Sequence, residues 1–115
     1  MANPVSRAKG PLGAAAFLAL MMVVSAPLRA DDATTKLYKT KCAMCHGADG
    51  SGKTVVGEKL KAPDLRSDEV QKKTDADLNC LITKGKDKMP AYGKTLMDGQ
   101  IKELVVYVRE LAKKK

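Results

Sequence analysis

The chain has 115 residues, with 21 basic and 13 acidic side chains and a formal net charge of +8. That length holds one domain. One Phe, three Tyr and no Trp leave little bulky apolar material for a self-sufficient core, so a staple or cofactor is expected at the centre. The basic balance alone would admit a nucleic-acid binder, but there are too few aromatics and no binding motif.

Arg7 and Lys9 give a positive start, and an apolar run over 12–26 follows before Arg29-Ala30 meets the polar Asp31-Asp32. This is the pattern of a secretory signal peptide. The run is short of the roughly 20 residues that a membrane span needs. Residues 1–30 are therefore read as a signal peptide cleaved after Ala30, with Ala26 as the other candidate because Leu28 is a poor residue at minus three. No cysteine near the cut offers a lipid anchor, and no stable membrane insertion is expected after cleavage. The segment takes away three basic residues (Arg7, Lys9, Arg29) and no acidic one, so residues 31–115 keep 18 basic and 13 acidic side chains, or +5.

Within the mature chain, Tyr38, Cys42 and Cys45 share one face of a helix predicted over 33–45. Gly47, Gly50, Gly52 and Gly57 interrupt any regular pattern, and only turns and loop are expected over 47–66. A short helix over 67–72 precedes a longer one. Thr74 opens that helix with Asp77 as its capping-box partner, Leu78, Leu81 and Ile82 form its apolar stripe, and Gly85 ends it. A second loop covers 86–97. The last helix, over 98–113, carries Ile101, Leu104, Val105, Val108, Leu111 and Ala112 on one face. No strand pattern competes and no repeat is present. Two long loops in so small a domain make sense if both wrap a cofactor.

Cys42-Ala43-Met44-Cys45-His46 is Cys-x-x-Cys-His, the attachment signature of c-type haem. Residues i and i+3 of a helix are neighbours, with Cβ atoms about 5–6 Å apart, so both thiols can reach the vinyl groups along one haem edge. The following imidazole then projects toward the iron. Other readings fit less well. A thioredoxin-like pair wants a βαβ context that is missing. A structural zinc site needs four ligands, and Cys42, Cys45 and His46 are too tightly bunched to form one with Cys80. A disulfide leaves the adjoining His46, the sole histidine, unexplained. For the sixth position Met89 is the best candidate, because Pro90 fixes a non-helical loop beside it. Met44 lies inside the motif and points away, and Met97 sits at a helix start. Paired Met and His ligands raise the reduction potential.

With these motifs the chain resembles the class I c-type cytochromes, especially the short soluble bacterial and algal carriers. Leu37-Tyr38, Cys42 to Gly47, Gly50-x-Gly52, Ala62-Pro63-Asp64-Leu65, Met89-Pro90-Ala91-Tyr92 and the stretch 101–111 all occur in family order. The resemblance implies an all-α cytochrome c fold, with three main helices and a short fourth around one haem, over a single domain at 31–115. It implies that Cys42 and Cys45 bind haem c covalently and that His46 and Met89 ligate its iron. It also implies that the Pro63 carbonyl accepts a hydrogen bond from the other His46 nitrogen, and that the first and last helices cross near Tyr38 and Tyr107. Two departures stand out. Thr34 occupies a position usually held by Gly, which predicts a looser crossing. Met97 replaces a small polar residue, which leaves Asp98 to cap the last helix.

Cys80 falls roughly opposite the apolar stripe of its helix. An exposed thiol in an oxidising compartment either stays inert behind a neighbouring loop or links two copies. Lys84, Lys86, Lys88 and Lys94 flank Met89, and such a ring would steer the protein to an acidic docking surface on a redox partner. No general base, nucleophile or substrate pocket is recognisable. The expected function is therefore periplasmic one-electron transfer without catalysis. The rivals are a peroxidase-like or gas-binding haem protein with a displaceable sixth ligand, and an electron-input subunit of a membrane oxidase or dehydrogenase.

Overall fold

The computed structural model describes residues 29–115, together with Ala19 and Met22. The signal-peptide reading of 1–30 lies almost wholly outside the described residues. Those residues form six helices: α1 Asp32–Lys41, α2 Ala43–His46, α3 Val55–Leu60, α4 Asp68–Gln71, α5 Asp75–Lys84 and α6 Asp98–Lys113. The sole β-type pairing among them is an isolated bridge between Lys86 and Met89.

Helix α1 starts where the Asp31 carboxylate accepts the Thr34 N–H at 2.8 Å, a side-chain cap that satisfies one orphan donor of the first turn. The single helix expected over 33–45 is broken at Cys42, whose φ of −117° leaves the helical range. Its amide still bonds the Tyr38 carbonyl, and α2 then restarts at Ala43.

The stretch 47–66 is not loop throughout, because it contains α3. The Thr54 hydroxyl caps α3 by accepting the Gly57 N–H at 2.8 Å, and Lys61 closes it in the left-handed region. Helices α4 and α5 match the expected positions. Ser67 caps α4. The capping box of Thr74 and Asp77 opens α5, and Gly85 ends it at φ 71°. The predicted role of Asp98 is corrected. It lies in the first turn of α6, where a negative charge suits the helix dipole, but Gln100 is the residue that reaches back to accept the Met97 N–H, at 2.9 Å.

Helix α6 supplies both parts of the core. Ile101, Leu104, Tyr107 and Leu111 join Tyr38 and Leu96 in one cluster. Val105 and Val108 join Val70 and Leu78 in the other. The Tyr38 and Tyr107 rings meet with centroids 4.6 Å apart, within the range where aromatic pairs attract. Thr34, one turn before Tyr38 on the same face, is buried.

A polar clasp fixes α6 to the middle of the chain. Arg109 donates to the Gln71 and Lys73 carbonyls and to the Asp75 carboxylate. The Gln71 amide nitrogen donates to the carbonyls of Leu65 and Val108. At the start of the described chain, the Ala30 N–H donates to Glu110 of α6 at 2.6 Å.

Candidate haem-attachment site

Four carbonyls at the C-terminal end of α2 lack helical partners, as at any helix end. All four are taken up. The Thr54 hydroxyl donates to the Met44 and Cys45 carbonyls at 2.7 and 3.2 Å. The Gly52 N–H donates to His46 at 2.7 Å. The buried Tyr38 hydroxyl and the Gly50 N–H both donate to Gly47, at 2.8 and 3.1 Å. The segment that carries Cys42, Cys45 and His46 is thus anchored on α1, on the 47–54 loop and on α3.

Gly57 makes the α3 contact possible. A Cβ there would run into the Cys45 and Gly52 carbonyl oxygens, both of them backbone. Gly57 and Thr54 are functional positions that sequence reasoning missed. Gly57 read as a helix breaker, and Thr54 had no marker except its place three residues before that glycine. Gly52, at φ 74°, would likewise drive a Cβ into the Ala62 carbonyl at 2.6 Å. That close approach lays the 62–65 segment along the attachment loop.

The donor set suits haem c. Cys42 and Cys45 are free thiols, both half-buried. Burial, and then the neighbouring Cys45, push the Cys42 thiol up to about 11, so it stays protonated at neutral pH. Burial holds the His46 imidazole below its usual value, which keeps the ring neutral and able to ligate a metal. His46 Nδ1 is buried without a hydrogen-bond partner. The Pro63 carbonyl that the resemblance implies as its acceptor lies near enough to oppose the desolvation, but no hydrogen bond between them is formed. A half-buried imidazole with its Nδ1 enclosed and unpaired, beside two half-buried thiols, fits the attachment of a haem whose iron takes the other ring nitrogen.

Met89 is half-buried, whereas Met44 and Met97 are 70% and 71% exposed. The Met89 segment is tightly folded. Lys86 and Met89 exchange both backbone hydrogen bonds, at 3.1 and 2.9 Å, and Asp87 between them sits at φ 52°. Gly85 is required here, since a Cβ would meet the Ala91 amide at 2.8 Å. The loop is then stitched to the end of α5 by Tyr92 N–H to Ile82 and Gly93 N–H to Thr83, both 3.0 Å. Lys84, Lys86, Lys88 and Lys94 are all exposed around it, and Cys80 is exposed on α5.

A small all-α domain wrapped on a Cys-x-x-Cys-His attachment helix, with a methionine loop against its last helices, defines the class I c-type cytochromes, which carry haem c covalently. The chain belongs to the family described as cytochrome c oxidase, cbb3-type, subunit III, whose pattern matches residues 29–108. It is similar to the cbb3-type cytochrome c oxidase subunit CcoP of Azospirillum brasilense, 40% identical over 77 residues, which cover 65% of this chain and 26% of that protein. The chain thus spans about a quarter of that relative's length. Cytochrome c6 of Gloeothece citriformis is 35% identical over 83 residues, covering 70% of each chain. The solved KustC0563 c-type cytochrome superposes with a TM-score of 0.63 at 34% identity, over 68% of this chain and 95% of its own.

Proposed function

We propose that the chain is a one-electron carrier in which Cys42 and Cys45 hold one haem c by thioethers and His46 and Met89 are the axial ligands. The single observation that carries this reading is the anchored attachment segment, with the His46 Nδ1 enclosed and unpaired beside two half-buried free thiols. Bound haem supplies a one-electron iron couple. This chain's residues would orient the imidazole through Pro63, keep the thiols in register at the start of α2 and within it, exclude water with the α1–α6 core and hold the thioether of Met89 at the end of a clipped loop. None of these roles requires a side chain to move a proton.

The protein works outside the cytoplasm in this reading, with 1–30 as its signal peptide and 31–115 as the haem domain. Among the described residues no helix is long and apolar enough to cross a membrane. Its redox partners present acidic surfaces to the exposed lysines around Met89. Electron-transfer rates to the true partner therefore fall as salt rises, and a flat salt response would contradict this docking.

A second reading is favoured by the family match and the CcoP relative: the chain is an electron-input subunit of a membrane oxidase. Recovery of the protein with a terminal oxidase in solubilised membranes would select that reading, and recovery in the periplasmic fraction alone would select the free carrier.

The test of the site is the absorption spectrum of the purified exported protein, oxidised and reduced, with and without carbon monoxide. The proposal expects the weak far-red charge-transfer band of methionine-ligated ferric haem, and a reduced spectrum that carbon monoxide leaves unchanged. Absence of the band with ready carbon monoxide binding overturns Met89 as a ligand and gives the displaceable-ligand rival its place.

A further inference from the structure

Among the described residues, Tyr92 is the one residue of the 86–97 loop that hydrogen-bonds the attachment segment. Its hydroxyl donates to the Lys41 carbonyl at 3.1 Å, the residue immediately before Cys42. Among the described residues no other hydrogen bond joins this loop to 41–46. Every polar group of Tyr92 is engaged. The amide donates to Ile82 of α5, the carbonyl accepts from Thr95 and Leu96, and the hydroxyl takes a free carbonyl at the end of α1. The ring is half-buried against the core cluster that also receives Cys42 and Ala43. One residue thus joins three elements, three positions after Met89.

We infer that Tyr92 is a positioning residue that clips the Met89 loop to the haem-attachment helix and so sets how readily the sixth ligand leaves the iron. This rests on Met89 being that ligand. The loop's remaining hydrogen bonds to the rest of the chain run to its two neighbours in sequence, to α5 through Tyr92 and Gly93 and to α6 through Met97. With the clip cut, the loop stays stitched to α5 and the fold persists, but the loop gains freedom to swing from the attachment helix. Met89 dissociation becomes easier by about the factor that one hydrogen bond contributes, roughly five-fold.

The experiment compares ferric wild-type holoprotein with Tyr92→Phe and Tyr107→Phe, titrating each with imidazole and following the far-red band. Imidazole displaces the methionine only when the loop opens. The expected result is an apparent imidazole affinity about five-fold tighter in Y92F, an earlier loss of the band on raising pH, and wild-type behaviour in Y107F. Unchanged imidazole affinity in Y92F beside a normal wild-type band overturns the clip alone. Equal shifts in Y92F and Y107F overturn it as well, because they report general loosening of the core. A wild-type protein without the band removes the Met89 reading, and the clip with it.

Discussion

Replacing Gly57 by Ala tests the claim that α3 exists to hold the attachment segment. The added Cβ would overlap the Cys45 and Gly52 carbonyl oxygens and stand 2.9 Å from the Thr54 hydroxyl. Two of these three obstacles are backbone and cannot rotate away, so α3 must retreat from α2. Retreat breaks the Thr54 hydroxyl's bonds to Met44 and Cys45 and weakens the Ala62 N–H bond to Gly57. Each such bond contributes about 1 kcal/mol net, and overpacking a tight contact costs about 1–3 kcal/mol by itself. The expected loss is about 2–4 kcal/mol, read as a lower midpoint of guanidinium unfolding in the holoprotein. Thr54→Ala, which removes the cap and the same two carbonyl bonds without a clash, should lose about 1–2 kcal/mol. A G57A protein within about 0.5 kcal/mol of wild type, the range of an ordinary surface change, would refute the close packing of α3 on the attachment segment.

Further outcomes follow from the same structure. Arg109→Ala should cost about 1–2 kcal/mol because two backbone carbonyls lose their donor, whereas Asp75→Asn should cost less than about 0.5 kcal/mol, its carboxylate being 78% exposed; equal losses in chemical denaturation would contradict that ranking. Alkylation of native holoprotein should add one label per chain, at the exposed Cys80, with Cys42 and Cys45 consumed in thioethers; three labels by intact mass would exclude covalent attachment. Under mild oxidation of unlabelled protein, a non-reducing gel with monomer alone would show the Cys80 thiol to be inert, and a disulfide-linked dimer that Cys80→Ser cannot form would show that it links two copies. The Arg66 guanidinium holds the Asp64 carboxyl below its ordinary 3.8. A depressed carboxylate favours the fold above the unfolded value and loses that contribution as pH falls through it, so Asp64→Asn should flatten the acid limb of the stability profile, and parallel limbs would remove the pair from the account.

The parts of this fold that sequence reasoning reached were those written in local chemistry. Thr74 with Asp77 and Gly85 marked both ends of α5, and the apolar stripe from Ile101 to Leu111 marked the face of α6 that is buried. The attachment motif was legible because its spacing is its mechanism. What stayed hidden depended on partners distant in the chain. Helix α3 has a Val-Val-Gly start with poor helix propensity, and its place is secured by Thr54 reaching ten residues back to Met44. The break at Cys42 has no sequence marker, since Tyr38 to Cys45 keeps helical periodicity across it. The clip from Tyr92 to Lys41 spans 51 residues, beyond any pattern that a window along the sequence can hold.

The place of α6 in the chain bears on the order of assembly. A chain is made from its N-terminus, so α1 and the attachment loop exist before the helix that completes their core. Until α6 arrives, Tyr38 lacks the ring of Tyr107, and Gly50 lacks the Leu111 side chain that packs against it. In the proposed reading, haem reaches Cys42 and Cys45 most openly on a chain whose last sixteen-residue helix has not yet docked. The element that contributes most to the finished core is thus also the one whose docking closes over the attachment segment.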